Sequence, residues 1–152
     1  MIQGLARGAT SSKKGPHGPP WISWQQPGTE QSNAIAFTNP QENASIQLGT
    51  YQNRLAVWQW NENTRMVVQD DGALPAGWNH VAYTYDGTTH RLYLNGEQID
   101  TSGTPSQVGP VTIARLGTWQ TTQELWKGRL DEIRIYNRPL DASEVRALAA
   151  AE

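Results

Sequence analysis

An all-β fold, two antiparallel sheets packed as a sandwich and closed by one short C-terminal helix, is what this chain of 152 residues predicts. Three observations carry that expectation. Short alternating runs of apolar and polar residues recur between turn residues about every 8–12 positions, the spacing typical of sandwiches. The composition, with 14 Gly, 9 Pro, 7 Trp and only 17% charged residues, suits a β-rich globule held by aromatic packing rather than a helical bundle. The stretch Gly77–Gly96, GWNHVAYTYDGTTHRLYLNG, reads as two strands joined by one turn and closed by another.

Residues 1–20 hold Gly, Pro, Ser and Lys with almost nothing to bury, and are expected to form a flexible lead-in to a single domain over 21–152. Trp21–Gln26 is the first strand candidate. Ala34–Thr38 and Ala44–Leu48 follow, divided by the turn signal Asn39-Pro40. Across Asn53–Trp60, alternation puts Ala56, Trp58 and Trp60 on one face and Leu55 and Val57 on the other. Arg65–Gln69 should pair with it across a polar loop, Asn61–Thr64. Asp70-Asp71-Gly72 then breaks the pattern, and Leu74–Gly77 leads into the central hairpin.

There, Val81, Tyr83 and Tyr85 share a face before Asp86-Gly87 turns the chain, and Leu92 and Leu94 share one before Asn95-Gly96 turns it again. Asp-Gly and Asn-Gly accept positive φ at low cost, which two-residue hairpin turns require. Glu97–Thr101, Val108–Leu116 and Leu125–Asn137 complete the strands, the last with a candidate interruption at Gly128. The helix starts near Asp141, with Asp141 as N-cap, Glu144 as its capping-box partner, and Val145 and Leu148 as the buried stripe. Trp78, Val81, Tyr83, Leu92, Leu94, Ile133 and Ile135 are expected to form one buried cluster between the sheets.

Four motifs in this order, Trp78-x-His80-Val81-Ala82, Tyr85-Asp86-Gly87, Leu92-Tyr93-x-Asn95-Gly96 and the late Gly128-x-x-Asp131-Glu132-x-Arg134-Ile135-Tyr136-Asn137-Arg138-x-Leu140, resemble the laminin-G-like branch of the concanavalin-A-like lectin/glucanase superfamily. The resemblance covers Trp58 to Leu148 well and implies a concanavalin-A-like jelly-roll sandwich. It also implies an extracellular or surface location and a role in recognition. Members usually begin with an extra strand that pairs beside the Asp-Glu-x-Arg-Ile-Tyr strand, and no counterpart of it is legible here. The edge along Gly128–Asn137 is therefore expected to stand open, and an open edge invites self-association with a second chain. Arg129, Asp131 and Arg134 could instead blunt it.

Several function classes are disfavoured. A net charge of −2 gives no electrostatic reason to expect nucleic acid. No apolar run is long enough for membrane insertion, and the first 20 residues carry no run of the kind a secretory signal needs. There is no Cys, hence no thiolate chemistry. No enzyme is expected. Asp131 and Glu132 are adjacent, so in a strand they point to opposite faces and cannot flank one scissile bond. The three His, His17, His80 and His90, show neither metal spacing nor a nucleophile elbow.

Calcium is a candidate ligand, because hard cations want loop carboxylates and Asp70, Asp71 and Asp131 supply them. Against it, no run carries an ordered ligand array. For glycans, exposed aromatics stack on the C–H faces of sugars while amides and carboxylates bond the hydroxyls. Two tracts have that composition: Trp58, Trp60 and Asn61 in WQWNEN, and Trp119, Gln120 and Gln123 in TWQTTQ. The alternative is that these Trp fill the sandwich. The reading is a non-catalytic recognition module, with carbohydrate or a surface glycan as partner. Its rivals are a structural or adhesion subunit working by self-association and, less favoured, a small glycosidase or polysaccharide lyase.

Overall fold

The structure is a computed structural model that describes residues 3–5, 22–24, 31–61, 63–103, 108, 110–119 and 124–151. Its strands are β1 (Gln3–Leu5), β2 (Ile22–Trp24), β3 (Gln31–Thr38), β4 (Ala44–Tyr51), β5 (Arg54–Asn61), β6 (Asn63–Gln69) and β7 (Gly77–Asn79). They continue as β8 (Val81–Tyr85), β9 (His90–Leu94), β10 (Glu97–Ser102), β11 (Ile113–Leu116), β12 (Gly128–Leu130) and β13 (Arg134–Tyr136), before helix α1 (Ala142–Ala150). Five of them form one antiparallel ladder in the order β11-β3-β4-β5-β6. The ladder β10-β9-β8 faces it, and β1, paired to β13, lies alongside β8. A further ladder, β12-β2-β7, completes the two-sheet sandwich.

Alternation decides what each sheet turns inward. Ile46 and Leu48 of β4 pair with Phe37 and Ile35 of β3 on one side, and Leu48 pairs with Val57 on the other. All of these pack on the same cluster as Val81, Tyr83, Tyr85 and Leu92 from the opposing sheet. Buried apolar area of this kind contributes about 25 cal/mol per Å², the main favourable term for a sandwich. Inside it, the Tyr83 hydroxyl and His90 Nδ1 lie 2.6 Å apart, and burial pushes the Tyr83 phenol upward. The outer face of β8 and β9 holds Ala82 and Tyr93, which Val145 of α1 and Leu140, just before the helix, cover.

The helix begins as the sequence predicts: Asp141 accepts from the Ser143 and Glu144 amides, and Glu144 accepts from the Asp141 amide. The Asn95-Gly96 turn is also as expected. Leu94 pairs with Glu97 across two residues with φ of 50° and 87°. Gly96 has a φ of 87°, which strains any L side chain, and a Cβ there would also press on the Ala149 side chain at 3.1 Å, so glycine is favoured at this turn.

Other expectations change. Tyr85 pairs with His90, so the Asp86-Gly87 connection spans four residues, and Asp86 Oδ1 organises it by accepting from Thr88 and Thr89. The polar loop at Asn61–Thr64 is a hairpin, since Asn61 pairs with Asn63 and Trp60 with Thr64. Val108–Leu116 shortens to β11, because Pro110 has no N–H to give a ladder. Leu125–Asn137 divides into β12 and β13 around Glu132, whose φ of 50° interrupts the alternation. That kink leaves Ile133 packed against the core but Ile135 55% exposed, opposite Gly4, which offers no side chain to cover it. Ile135 is thus not a core residue. Trp78 is only half-buried, with the Arg129 guanidinium 5.8 Å from its ring centroid, and Leu94 packs on the cluster half-buried. Trp21 lies outside the described residues.

The open edge is corrected as well. β12 pairs with β2, and β13 pairs with β1 in the register Gln3↔Tyr136, Gly4↔Ile135 and Leu5↔Arg134. The lead-in therefore supplies the first strand that the sequence seemed to lack. Three residues with one glycine carry too little alternation to be read as a strand, and long-range pairing overrides that weak propensity. The reason for expecting a second chain along Gly128–Asn137 falls away.

Candidate functional site

The outward face of the five-stranded sheet is polar where its inward face is apolar. On that face, register lines up Arg115, Ala36, Gln47, Trp58 and Met66 from β11 to β6 as one row across all five strands. Four strand spacings of about 4.8 Å make the row roughly 19 Å long. Beside it runs a second row, Ile113, Thr38, Ser45, Trp60 and Thr64. Beyond the first row, Asn33 lies opposite Gly49, and Gln31 opposite Tyr51.

The floor of this face is buried and its rim is half-exposed. Asn33, Thr38, Ser45, Gln47 and Trp58 are buried; Gln31, Tyr51, Trp60, Met66, Arg115 and Glu124 stand partly open, and Arg54, opposite Tyr51, is exposed. Buried polar groups must find partners, and here they find one another. Gln31 Nε2 donates to Gln47 Oε1 (3.3 Å) and Glu124 Oε2 (3.1 Å), Asn33 Nδ2 donates to Glu124 Oε2 (2.5 Å), and Gln47 Nε2 donates to Ser45 Oγ (2.9 Å). The Asn33 amide also donates to the Glu124 carbonyl (2.9 Å), tying the loop to β3. Burial raises the Glu124 carboxyl above its ordinary value, against the lowering effect of the Asn33 hydrogen bond. One acceptor is left over: among the described residues, Asn33 Oδ1 is buried without a partner.

Two devices shape the floor. β3 bulges between Asn33 and Ile35, bending its first half over β4. A Cβ on Gly49 would fall 1.9 Å from the Ser32 carbonyl oxygen, so the bend requires glycine there. The aromatic side is set by β4 and β5: Tyr51 and Trp58 meet edge to face with ring centroids 6.4 Å apart. At the β11 end, Arg115 is committed. It forms an ion pair with Glu42 and donates to the Trp119 carbonyl (3.1 Å).

Of the residues singled out in the sequence, Trp58 and Trp60 lie on this face, Trp58 as floor and Trp60 as half-open rim, and neither fills the space between the sheets. Trp119 is half-buried, and its backbone carbonyl accepts from Arg115. Asn61 ends β5, next to Trp60. Gln120 and Gln123 lie outside the described residues. Asp70, Asp71 and Asp131 do not converge: among the described residues no group of three His, Asp or Glu could hold a metal ion. Asp70 caps its own turn by accepting from the Gly72 amide (3.0 Å), and Asp131 accepts from the Glu132 amide (2.8 Å). Gln31, Asn33, Gln47 and Glu124 were not singled out by the sequence. The signal for Gln47 was present in the alternation Ser45-Ile46-Gln47-Leu48, which marks a strand with one polar face.

Comparison with solved structures finds the same fold in proteins of low identity. Domain 4 of AbnA, an extracellular arabinanase from Geobacillus stearothermophilus solved with arabinotriose, matches with a TM-score of 0.70 at 24% identity, over 85% of this chain and 63% of that one. The chain thus spans less than two thirds of that protein's length. The CBM40 module of the Ruminococcus gnavus IT-sialidase, bound to α2,3 sialyllactose, matches with a TM-score of 0.69 at 15% identity, over 98% of this chain and 83% of that one. Domains LG4-5 of the mouse laminin α1 chain match with a TM-score of 0.59 at 12% identity, over 93% and 41%. No curated protein matches the chain in sequence. A family model does match, over residues 20–146, and with it the chain belongs to the concanavalin A-like lectin/glucanases superfamily.

Proposed function

We propose that the protein is a non-catalytic carbohydrate-binding module whose ligand lies on the outward face of the five-stranded sheet. The observation that carries this reading is the network of Gln31, Asn33, Gln47 and Glu124 set beside the half-open rings of Tyr51 and Trp60. Amides and a carboxylate bond hydroxyls, and aromatic faces stack on sugar C–H groups, so the two together suit a glycan better than a peptide or a nucleic acid. The face's carboxylates are held by partners, Glu124 by amides and Glu42 by Arg115, which favours binding over proton transfer. The arabinotriose and sialyllactose bound by two structural relatives support the same reading.

Calorimetric titration with soluble oligosaccharides and pull-down on insoluble polysaccharides test it. Trp60→Ala should stay folded by near-ultraviolet circular dichroism and lose most of the binding. Full retention of binding by that folded variant would remove this face from consideration.

A further inference from the structure

At the opposite end of β5 from Trp60, the last row of the face is Gln31, Tyr51 and Arg54, in register across β3, β4 and β5. Gln52 and Asn53, at φ of 50° and 64°, make the two-residue turn that joins Tyr51 to Arg54, so those two side chains are cross-strand neighbours on the outward face. The Tyr51 ring meets Trp58 edge to face and stays half-open.

The two sides of Tyr51 differ in polarity. On the β3 side stand acceptors. Gln31 spends Nε2 on Gln47 and Glu124, and Glu124 receives Gln31 and Asn33 at Oε2, which leaves Oε1 of Gln31 and of Glu124 for a ligand. Both residues are partly open. On the β5 side stands a donor. Of the two described guanidiniums that the register puts on this face, Arg115 is paired with Glu42, whereas exposed Arg54 has no ion pair among the described residues, Asp71 just past β6 included. Two strand spacings put Gln31 and Arg54 roughly 10 Å apart at the backbone, room for one sugar ring with substituents on both edges.

Resting on the carbohydrate-binding reading, we infer that this row is a subsite for a hexuronate: the ring stacks on Tyr51, two neighbouring hydroxyls donate to Gln31 and Glu124, and Arg54 takes the carboxylate. A 1,4-linked hexuronate chain leaves two adjacent hydroxyls free on one edge of each ring and the carboxylate on the other. Guanidinium is the side chain best matched to a carboxylate, and the ligand's carboxylate and Glu124 then lie on opposite edges of the ring.

Calorimetry at low and high salt tests this. Tetramers of 1,4-linked galacturonate, glucuronate and mannuronate are each compared with the same tetramer after carboxyl reduction, alongside neutral xylotetraose and cellotetraose. At least one uronate should bind about tenfold or more tighter than its reduced counterpart, the worth of a hydrogen bond to a charged group, and weaken as salt rises. Arg54→Gln, at an exposed position beside a turn, should bring that uronate down to the level of its reduced counterpart. Gln31→Leu should weaken both alike, since both keep the two hydroxyls. A reduced tetramer that binds as tightly as its uronate would overturn the inference while leaving a carbohydrate-binding module intact. So would a folded Arg54→Gln protein that keeps the preference, a Gln31→Leu loss confined to the uronate, or neutral glycans that bind where no uronate does. Binding of no glycan of either class would take the carbohydrate reading down with it.

Discussion

Gly49→Ala probes the site through the backbone alone. At an ordinary extended position, alanine stabilises relative to glycine by about 0.5–1 kcal/mol, because the unfolded chain has less freedom to lose. Here the new methyl would sit 1.9 Å from the Ser32 carbonyl oxygen and 2.8 Å from Asn33 Cα, both backbone atoms that cannot swing aside. β3 must retreat by about 1 Å, and overpacking of that kind costs about 1–3 kcal/mol. The retreat also strains the hydrogen bond between the Ser32 and Thr50 hydroxyls (3.0 Å) and the Asn33–Glu124 backbone bond (2.9 Å). Each is worth about 1 kcal/mol. The net expectation is a loss of about 2–4 kcal/mol, or roughly 5–15 °C in Tm for a domain of this size. Urea denaturation followed by tryptophan fluorescence measures it. Oligosaccharide binding should fall further than stability does, because Asn33 moves. An alanine variant as stable as the native chain, or more so, would show that β3 does not press on Gly49 and that the bulge does not define the floor.

Four other substitutions probe the core, its edge and the helix cap. Leu92→Ala, at a fully buried position, should cost about 2–5 kcal/mol with the cavity included. Ile135→Thr should stay within about 0.5 kcal/mol, as for other surface sites, while Ile133→Thr costs clearly more; equal losses in denaturation would restore the unbroken strand that Glu132 interrupts. The Asp141 carboxyl is held below its ordinary value by the Ser143 hydroxyl and the Glu144 and Ser143 amides, and the Glu144 carboxyl is lowered chiefly by Arg138. Folded values below unfolded ones give stability that is present above the unfolded pKa and lost as pH falls through the folded one. Asp141→Asn keeps a capping oxygen but does not titrate, so the stability gap between the two proteins should narrow on acidification from about pH 6 to about pH 3. A gap that stays constant over that range would mean the cap charge has no linked role.

The sandwich was legible because its signals are local. Asn95-Gly96 and the Asp141–Glu144 cap each need only adjacent residues, and the Ile46/Leu48 and Leu55/Val57 alternations set the faces. What stayed hidden depends on partners far away in sequence. Nothing near Gln-Gly-Leu at residues 3–5 announces a strand; β13 does. Gln31 and Asn33 read as loop, since polar residues depress strand propensity, and they are held in the ladder by Tyr51 and Gly49. Glu124 lies in a stretch with no periodicity, and only its contact with β3, 91 residues earlier, gives it a role. The site was half visible for the same reason: tryptophans stand out in composition, and the amides that accompany them do not.

The pairing of Gln3 with Tyr136 has a kinetic consequence. β3 to β6 are successive hairpins and can zip as each strand leaves the ribosome. β1 must wait for β13, made long after it, whereas β2 can pair with β7 before β12 joins on its other side. Closing so long a loop is cheap at equilibrium, since each doubling of length adds only about 0.6 kcal/mol, but the search makes non-local β folds slow, on the order of milliseconds to seconds. The outward face of the five-stranded sheet is assembled on the same schedule. Its aromatic half, Tyr51, Trp58 and Trp60, belongs to the early meander, whereas Arg115 and Glu124 arrive from the last third of the chain. A nascent chain would therefore present the aromatic half of this face before it acquires the Arg115 and Glu124 side.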